Sequence, residues 1–163
     1  MFLPSIEWLY ALCSRKSQTG ASHFVGNKLA YLAYLAHIAL IVRDYDEALA
    51  FYVGKLGFDL VEDTYRPDQK KRWVTIRPPG APEYATTILL ARAATDHQAS
   101  RIGNQTGGRV AFILHTHNFA RDHARFTAAG VEWVRPPADQ PYGRVAVWRD
   151  LYGNLWDLVE YVF

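Results

Sequence analysis

The chain has 163 residues, half of them hydrophobic and 14% aromatic, with a formal net charge of +2. That length and apolar content suit one domain with a real core and exclude an intrinsically disordered chain. The near-balance of charge gives no reason to expect nucleic acid or an acidic membrane as a partner, and no apolar run reaches the roughly 18 residues of a membrane span.

The first residues, "MFLPSIEWLYALCSRKS", are apolar but lack the layout of a signal peptide. Glu7 interrupts them and their basic residues come last. Phe2, Ile6, Leu9, Tyr10 and Cys13 recur at helical spacing, so a short helix near residues 5–14 is expected, followed by the polar linker "SQTGASHFVGNK". Residues 1–29 therefore read as an extension. Cys13 is the single cysteine, which excludes an internal disulfide and a cysteine-only zinc cluster. The expected location is the cytoplasm.

The rest of the chain repeats itself. "HIALIV" from His37 lies over "RVAFIL" from Arg109 at an offset of 72, and "RWVTIR" (72–77) lies over "RVAVWR" (144–149) at the same offset. "LGFDLV" (56–61) lies over "AGVEWV" (129–134) at 73, so a one-residue insertion is placed near the end of the second helix. Each copy opens with an apolar strand. A helix follows near 45–55 or 118–129. Asp44 with Glu47 makes an acidic capping box in the first copy, and Thr116 lies over that cap in the second. Gly57 and Gly130 stop the two helices. Three more strands follow, separated by loops such as "RPPGAPE" and "RPPADQPYG". "RPDQKKR" (66–72) reads as a solvated hairpin, and "ATDHQAS" as a polar loop between copies.

The pattern is βαβββ twice, with modules at 34–94 and 106–162 in a single domain spanning 34–162. An α+β fold is expected, with a curved, eight-stranded, partly open barrel-like sheet. Near its end, "DLYGNLWDLVEY" (150–161) reads as a turn and a closing strand. Alternation places Leu155, Asp157 and Val159 on one face of that strand and Trp156, Leu158 and Glu160 on the other.

The paired modules, "HIALIVRDYDEALAFYVGKLGF" and the closing "DLYGNLWDL" resemble the vicinal oxygen chelate superfamily of glyoxalases, bleomycin-resistance proteins and ring-cleaving dioxygenases. The resemblance implies metal ligands at four places, on the first and last strand of each module. Here those places hold His37, Leu89, Arg109 and Asp157. His37 and Asp157 can ligate a metal. Leu89 cannot, and the Arg109 guanidinium repels a cation. A divalent ion (Zn, Ni, Fe or Mn) is therefore left with an incomplete set, since a catalytic ion typically takes three protein ligands. Without a metal, His37 and Asp157 remain the candidate catalytic groups. Arg109 becomes a substrate-binding cation for a carboxylate or phosphonate, or pairs with Asp157. His115 and His117 are metal-like in spacing but sit at the far end of their strand. Trp73, Trp148, Trp156 and Tyr142 on the later strands favour a flat or partly apolar ligand wherever they face the cleft.

Three functions stay open on these grounds. One is an enzyme of the lyase, isomerase or dioxygenase type acting on an oxygen-rich, anionic small molecule. Another is a non-catalytic small-molecule or drug-binding protein of the bleomycin-resistance kind. The third is an accessory module docked through its N-terminal helix. A homodimer is expected, because isolated modules leave sheet edges unpaired.

Overall fold

The computed structural model describes residues 34–162. The helix expected near 5–14, its linker and the rest of the extension to residue 29 lie outside the described residues. In chain order the elements are β1 (His37–Val42), α1 (Tyr45–Leu49, continued as π-helical turns over Ala50–Lys55), β2 (Asp59–Arg66), β3 (Lys71–Arg77), β4 (Thr87–Arg92), α2 (Asp96–Ala99), β5 (Val110–His115), α3 (Phe119–Ala128), β6 (Glu132–Gln140), β7 (Gly143–Arg149) and β8 (Leu155–Tyr161). The eight strands form two four-stranded sheets, β1-β4-β3-β2 and β5-β8-β7-β6, and neither closes into a barrel. In each sheet the first and last strands of the module pair in parallel, and the remaining pairs are antiparallel. This is the doubled βαβββ pattern expected from the repeat.

The two helices start differently. Asp44 caps α1, its carboxylate accepting from the Glu47 and Asp46 N–H groups, which hold its pKa below the usual value. The residue aligned with it, Thr116, is not the cap of α3. Asn118 fills that place and accepts from the Arg121 N–H, while the Thr116 hydroxyl donates to Asp122. The insertion in the second copy therefore precedes its helix instead of falling near its end. Thirteen positions separate Asp44 from Gly57, and twelve separate Asn118 from Gly130. The surplus residue in the first helix is absorbed by the wider π-helical turns of Ala50–Lys55, the usual way a helix accommodates an insertion. Gly57 and Gly130 end the helices with φ of 71° and 78°, in the left-handed region where a side chain is strained.

The segment "RPPADQ" is strand, not loop. β6 runs through Pro136 and Pro137, and its register with β7 slips between Arg135 and Ala138, so both prolines sit in a bulge where no ladder N–H is required. "ATDHQAS" contains the short helix α2, capped by Thr95.

Strand alternation builds the core. Leu40, Val42, Val74, Ile76, Ile88 and Leu90 point to the helix side of the first sheet. Trp148, Trp156 and Leu158 do the same in the second. The rings of Trp148 and Trp156 stack at 5.0 Å, and Phe112 lies 4.3 Å from Trp156. Tyr52 of α1 reaches this cluster at 6.0 Å from Trp156, so both modules share one core. Cutting such a Trp to Ala costs about 3–5 kcal/mol.

A polar knot joins the modules inside that core. Asp150 is buried, yet its Oδ1 accepts from the N–H groups of Tyr152, Gly153 and Asn154. Its Oδ2 accepts from Tyr52 Oη at 2.6 Å, Asn154 Nδ2 at 2.9 Å and Trp156 Nε1 at 3.2 Å. Six donors offset the loss of water around one carboxylate. They fix the turn that leads into β8, and with it the position of Asp157. Among the described residues no helix is long and apolar enough to cross a membrane.

Candidate functional site

Each sheet has a second face turned away from the shared core. On the first sheet this open face carries His37, Ala39 and Ile41 of β1, Thr87, Leu89 and Ala91 of β4, and Trp73 and Thr75 of β3, as the strand registers require. His37 Nδ1 meets Thr87 Oγ1, and its ring stands edge-on to Trp73 at 5.8 Å. Ile41, Leu89, Ala91, Trp73 and Lys71 line a hollow of about 310 Å3 on this sheet. The floor is aliphatic and aromatic, and three cations, Lys71, Arg72 and Arg92, share the lining.

On the second sheet the open face carries Ile113 of β5, Asp157 of β8, Val147 of β7 and Arg135 of β6, which the registers place side by side. Asp157, Arg135, Tyr142 and Val145 line a hollow of about 260 Å3. Asp157 Oδ1 is shut off from solvent and meets no donor of the protein. Burial pushes the Asp157 carboxyl above its usual pKa, and the Arg135 guanidinium pulls it part of the way back. An acceptor held dry and unpaired favours a ligand that brings an N–H or O–H to it.

Among the described residues no hydrogen bond or ion pair joins His37, Arg109 and Asp157, the three residues singled out from the sequence. His37 belongs to the first sheet. Asp157 sits in the middle of the second, opposite Ile113, whereas Arg109 precedes the first residue of β5. No ion pair links Arg109 to Asp157 among the described residues; the cation that acts on Asp157 is Arg135. The sequence does not single out Arg135, because "RPPADQ" reads as a loop. Thr87, the partner of His37, was within reach of the alternation rule, since it stands two positions before Leu89 on the same face. The remaining aromatics divide. Trp148 and Trp156 are core, whereas Trp73 and Tyr142 line the open hollows. His115 lies 4.6 Å from His117 and 5.4 Å from Tyr161 at the end of β5, and no group of three or more His, Cys, Asp or Glu poised for a metal occurs among the described residues.

The donor set does not fit a resident catalytic metal. Leu89 brings no lone pair, and Arg109 brings a permanent positive charge to a place where a ligand is needed. Asp157 already faces Arg135.

Comparison with known proteins agrees with the architecture. The family model described as the Glyoxalase/Bleomycin resistance protein/Dioxygenase superfamily matches residues 34–158. An uncharacterised protein of Shewanella frigidimarina is 56% identical over 126 residues, covering 77% of this chain and 92% of that protein. Among solved structures, UcmS2 is 32% identical with a TM-score of 0.67, covering 78% of this chain and 97% of that one. TnmS3 of Streptomyces sp. CB03234, described as an antibiotic binding protein, is 27% identical with a TM-score of 0.64, covering 80% of this chain and 98% of that one.

Proposed function

The chain belongs to the glyoxalase/bleomycin resistance protein/dioxygenase superfamily, and from that premise we propose that it binds a small, flat, partly apolar organic molecule and releases it chemically unchanged. The observation that carries this reading is the character of the open faces. Where an enzyme of this superfamily needs metal donors, this chain has Leu89 and Arg109. What it offers instead is an aromatic and aliphatic floor around Trp73 and Leu89, with one dry, unpaired acceptor at Asp157. Hollows of this kind recognise shape and one or two polar groups. The likeness to TnmS3, an antibiotic binding protein, supports the same class of function.

A second copy of the chain completes the site in this reading. The open face of the second sheet leaves Ile113 62% exposed, and Tyr142 50%. Surfaces of that kind are ordinarily covered. A homodimer in the cytoplasm would enclose the ligand between an open face of each protomer. The competing reading, an enzyme using His37 as acid or base, draws on the His37–Thr87 contact.

The test is a calorimetric titration of the full chain with flat aromatic compounds bearing amino or hydroxyl groups. Micromolar binding by at least one of them is expected. Asp157→Leu should weaken it about tenfold, the loss of one hydrogen bond to a charged acceptor. Arg109→Gln should change it less than twofold. Equal affinity in the Asp157→Leu variant would remove Asp157 from the site.

A further inference from the structure

A third cavity, on the helix side of the second sheet, has no part in the open faces. It measures about 370 Å3. Its floor is Leu114, Phe126 and Leu158, of which Phe126 and Leu158 are buried core residues. One wall is the loop Pro78–Pro82 of the first module. Three of those five residues are proline, and the loop is tied by Ala81 N–H to Pro78 O and by Ala85 N–H to Pro82 O. A wall built this way is stiff before any ligand arrives, which lowers the ordering cost of binding.

The charges around this cavity are unequal. Asp122 is engaged by its neighbour Arg121, with Nε 3.0 Å from Oδ1 and Nη2 2.9 Å from Oδ2, and it also accepts from the Thr116 hydroxyl. Arg121 first, and then the Thr116 hydroxyl, hold the Asp122 carboxyl below its usual pKa. Arg125, one helical turn on from Arg121, comes no closer to Asp122 than 3.9 Å through its Nε. Its guanidinium lies over the Phe126 ring at 5.3 Å. The cavity thus holds an apolar floor, a rigid wall and the Arg125 guanidinium, whose one ion-pair contact among the described residues is the 3.9 Å approach to Asp122.

We propose that this cavity is a second binding site, independent of the open faces, for an amphipathic organic monoanion: an aromatic or aliphatic body on Leu114, Phe126 and Leu158, with its carboxylate on Arg125. A planar carboxylate matches the guanidinium fork, and contact with an apolar floor strengthens the pair. The groups facing Arg125 from the surrounding elements are Asp122 and Arg121 of α3, with His115 and His117 before it, and the proline loop brings no charge.

The probe is 2-naphthoate, titrated into the full chain by calorimetry and by amide chemical shifts, with neutral 2-naphthamide as its isostere. The structure predicts shifts at Gly80, His117 and Arg125, and affinity for the amide at least about fivefold weaker. Arg125→Gln should weaken naphthoate about tenfold. Ala81→Phe, which fills the cavity from the wall and leaves Arg125 in place, should abolish the shifts. Asp157→Leu should change nothing here, so failure of this site and failure of the open-face reading are separable. The proposal is overturned by shifts confined to the open faces, by equal affinity for acid and amide, by an Arg125→Gln variant that binds as well as the parent, or by no binding up to roughly 10 mM.

Discussion

Replacing Asp150 tests how the two modules are held together. Its Oδ1 serves three backbone N–H groups and its Oδ2 serves Tyr52, Asn154 and Trp156. Asp150→Asn keeps a carbonyl for the three backbone donors and turns an NH2 toward the other three. Asn154 can answer by rotating its amide, because its own Oδ1 has no hydrogen-bond partner. The indole N–H of Trp156 cannot. The Trp156 N–H is then unpaired, the rotated Asn154 amide exchanges an unpaired acceptor for an unpaired donor, and one charge-assisted bond from Tyr52 is lost, which together cost about 2–4 kcal/mol. Tyr52→Phe removes only the 2.6 Å hydroxyl bond and leaves Oδ2 two donors, so about 1–2 kcal/mol is expected. In the Asp150→Asn background, Tyr52→Phe should cost less than about 0.5 kcal/mol, because the carboxylate it served is gone. Urea unfolding at 25 °C followed by tryptophan fluorescence reads all four corners of this cycle. An Asp150→Asn variant within about 0.5 kcal/mol of the parent, or additive single effects, would refute the knot as the link between modules.

The other predictions concern charge, backbone and edge. Asp157 has its pKa raised by burial, so the folded state holds this proton more tightly than the unfolded chain does. Its favourable contribution is complete below the unfolded value near 3.8 and is lost as pH rises through the higher folded value. Asp157→Asn should therefore raise Tm at pH 7 and leave it unchanged near pH 3; an unchanged Tm at pH 7 would argue against a desolvated carboxylate. Tyr52 is pushed well above its ordinary value of 10 by burial beside Asp150, so the parent should lose stability above about pH 10 more steeply than Tyr52→Phe. Gly103 has φ of +75°, and an added Cβ would meet the Tyr152 carbonyl oxygen at 1.7 Å, so Gly103→Ala should cost about 3 kcal/mol or more. Gly107→Ala, with open space around it, should cost only about 1 kcal/mol in the same chemical denaturation series. Gln105 copies a strand with its side chain, accepting from Ile41 N–H at 2.9 Å and donating to Ala39 O at 2.7 Å on the outer edge of β1. Gln105→Leu should cost about 1–2 kcal/mol and expose that edge, which sedimentation would read as concentration-dependent association.

The repeat made the fold legible, because two copies of one hydrophobic grammar leave few arrangements. "HIALIV" and "RVAFIL" could only be the first strands, and Gly57 and Gly130 mark helix ends whatever lies between. Alternation also put Asp157 and Trp156 on opposite faces of β8, and the structure buries Trp156 while leaving Asp157 half-buried. The details that escaped were those in which one interaction displaces another. Thr116 aligns with the cap at Asp44, yet its hydroxyl goes to Asp122 and leaves Asn118 to cap. "RPPADQ" looks like a loop until a bulge is allowed to hold both prolines, and with the strand came Arg135 beside Asp157. Asp150 reads as an ordinary turn residue because nothing in the local sequence announces Tyr52, 98 positions away.

The most direct test of the central claim follows the ligand. A flat aromatic compound that quenches Trp73, with Trp73→Phe as control, is held with the full chain for many hours, with and without added Zn2+, Ni2+ or Mn2+. It is then released by denaturation and weighed by mass spectrometry. The predicted result is recovery at unchanged mass under every condition, and an affinity that no metal alters. A product of new mass, formed repeatedly per chain or only with a metal present, would contradict it and return the chain to the enzymes of its superfamily.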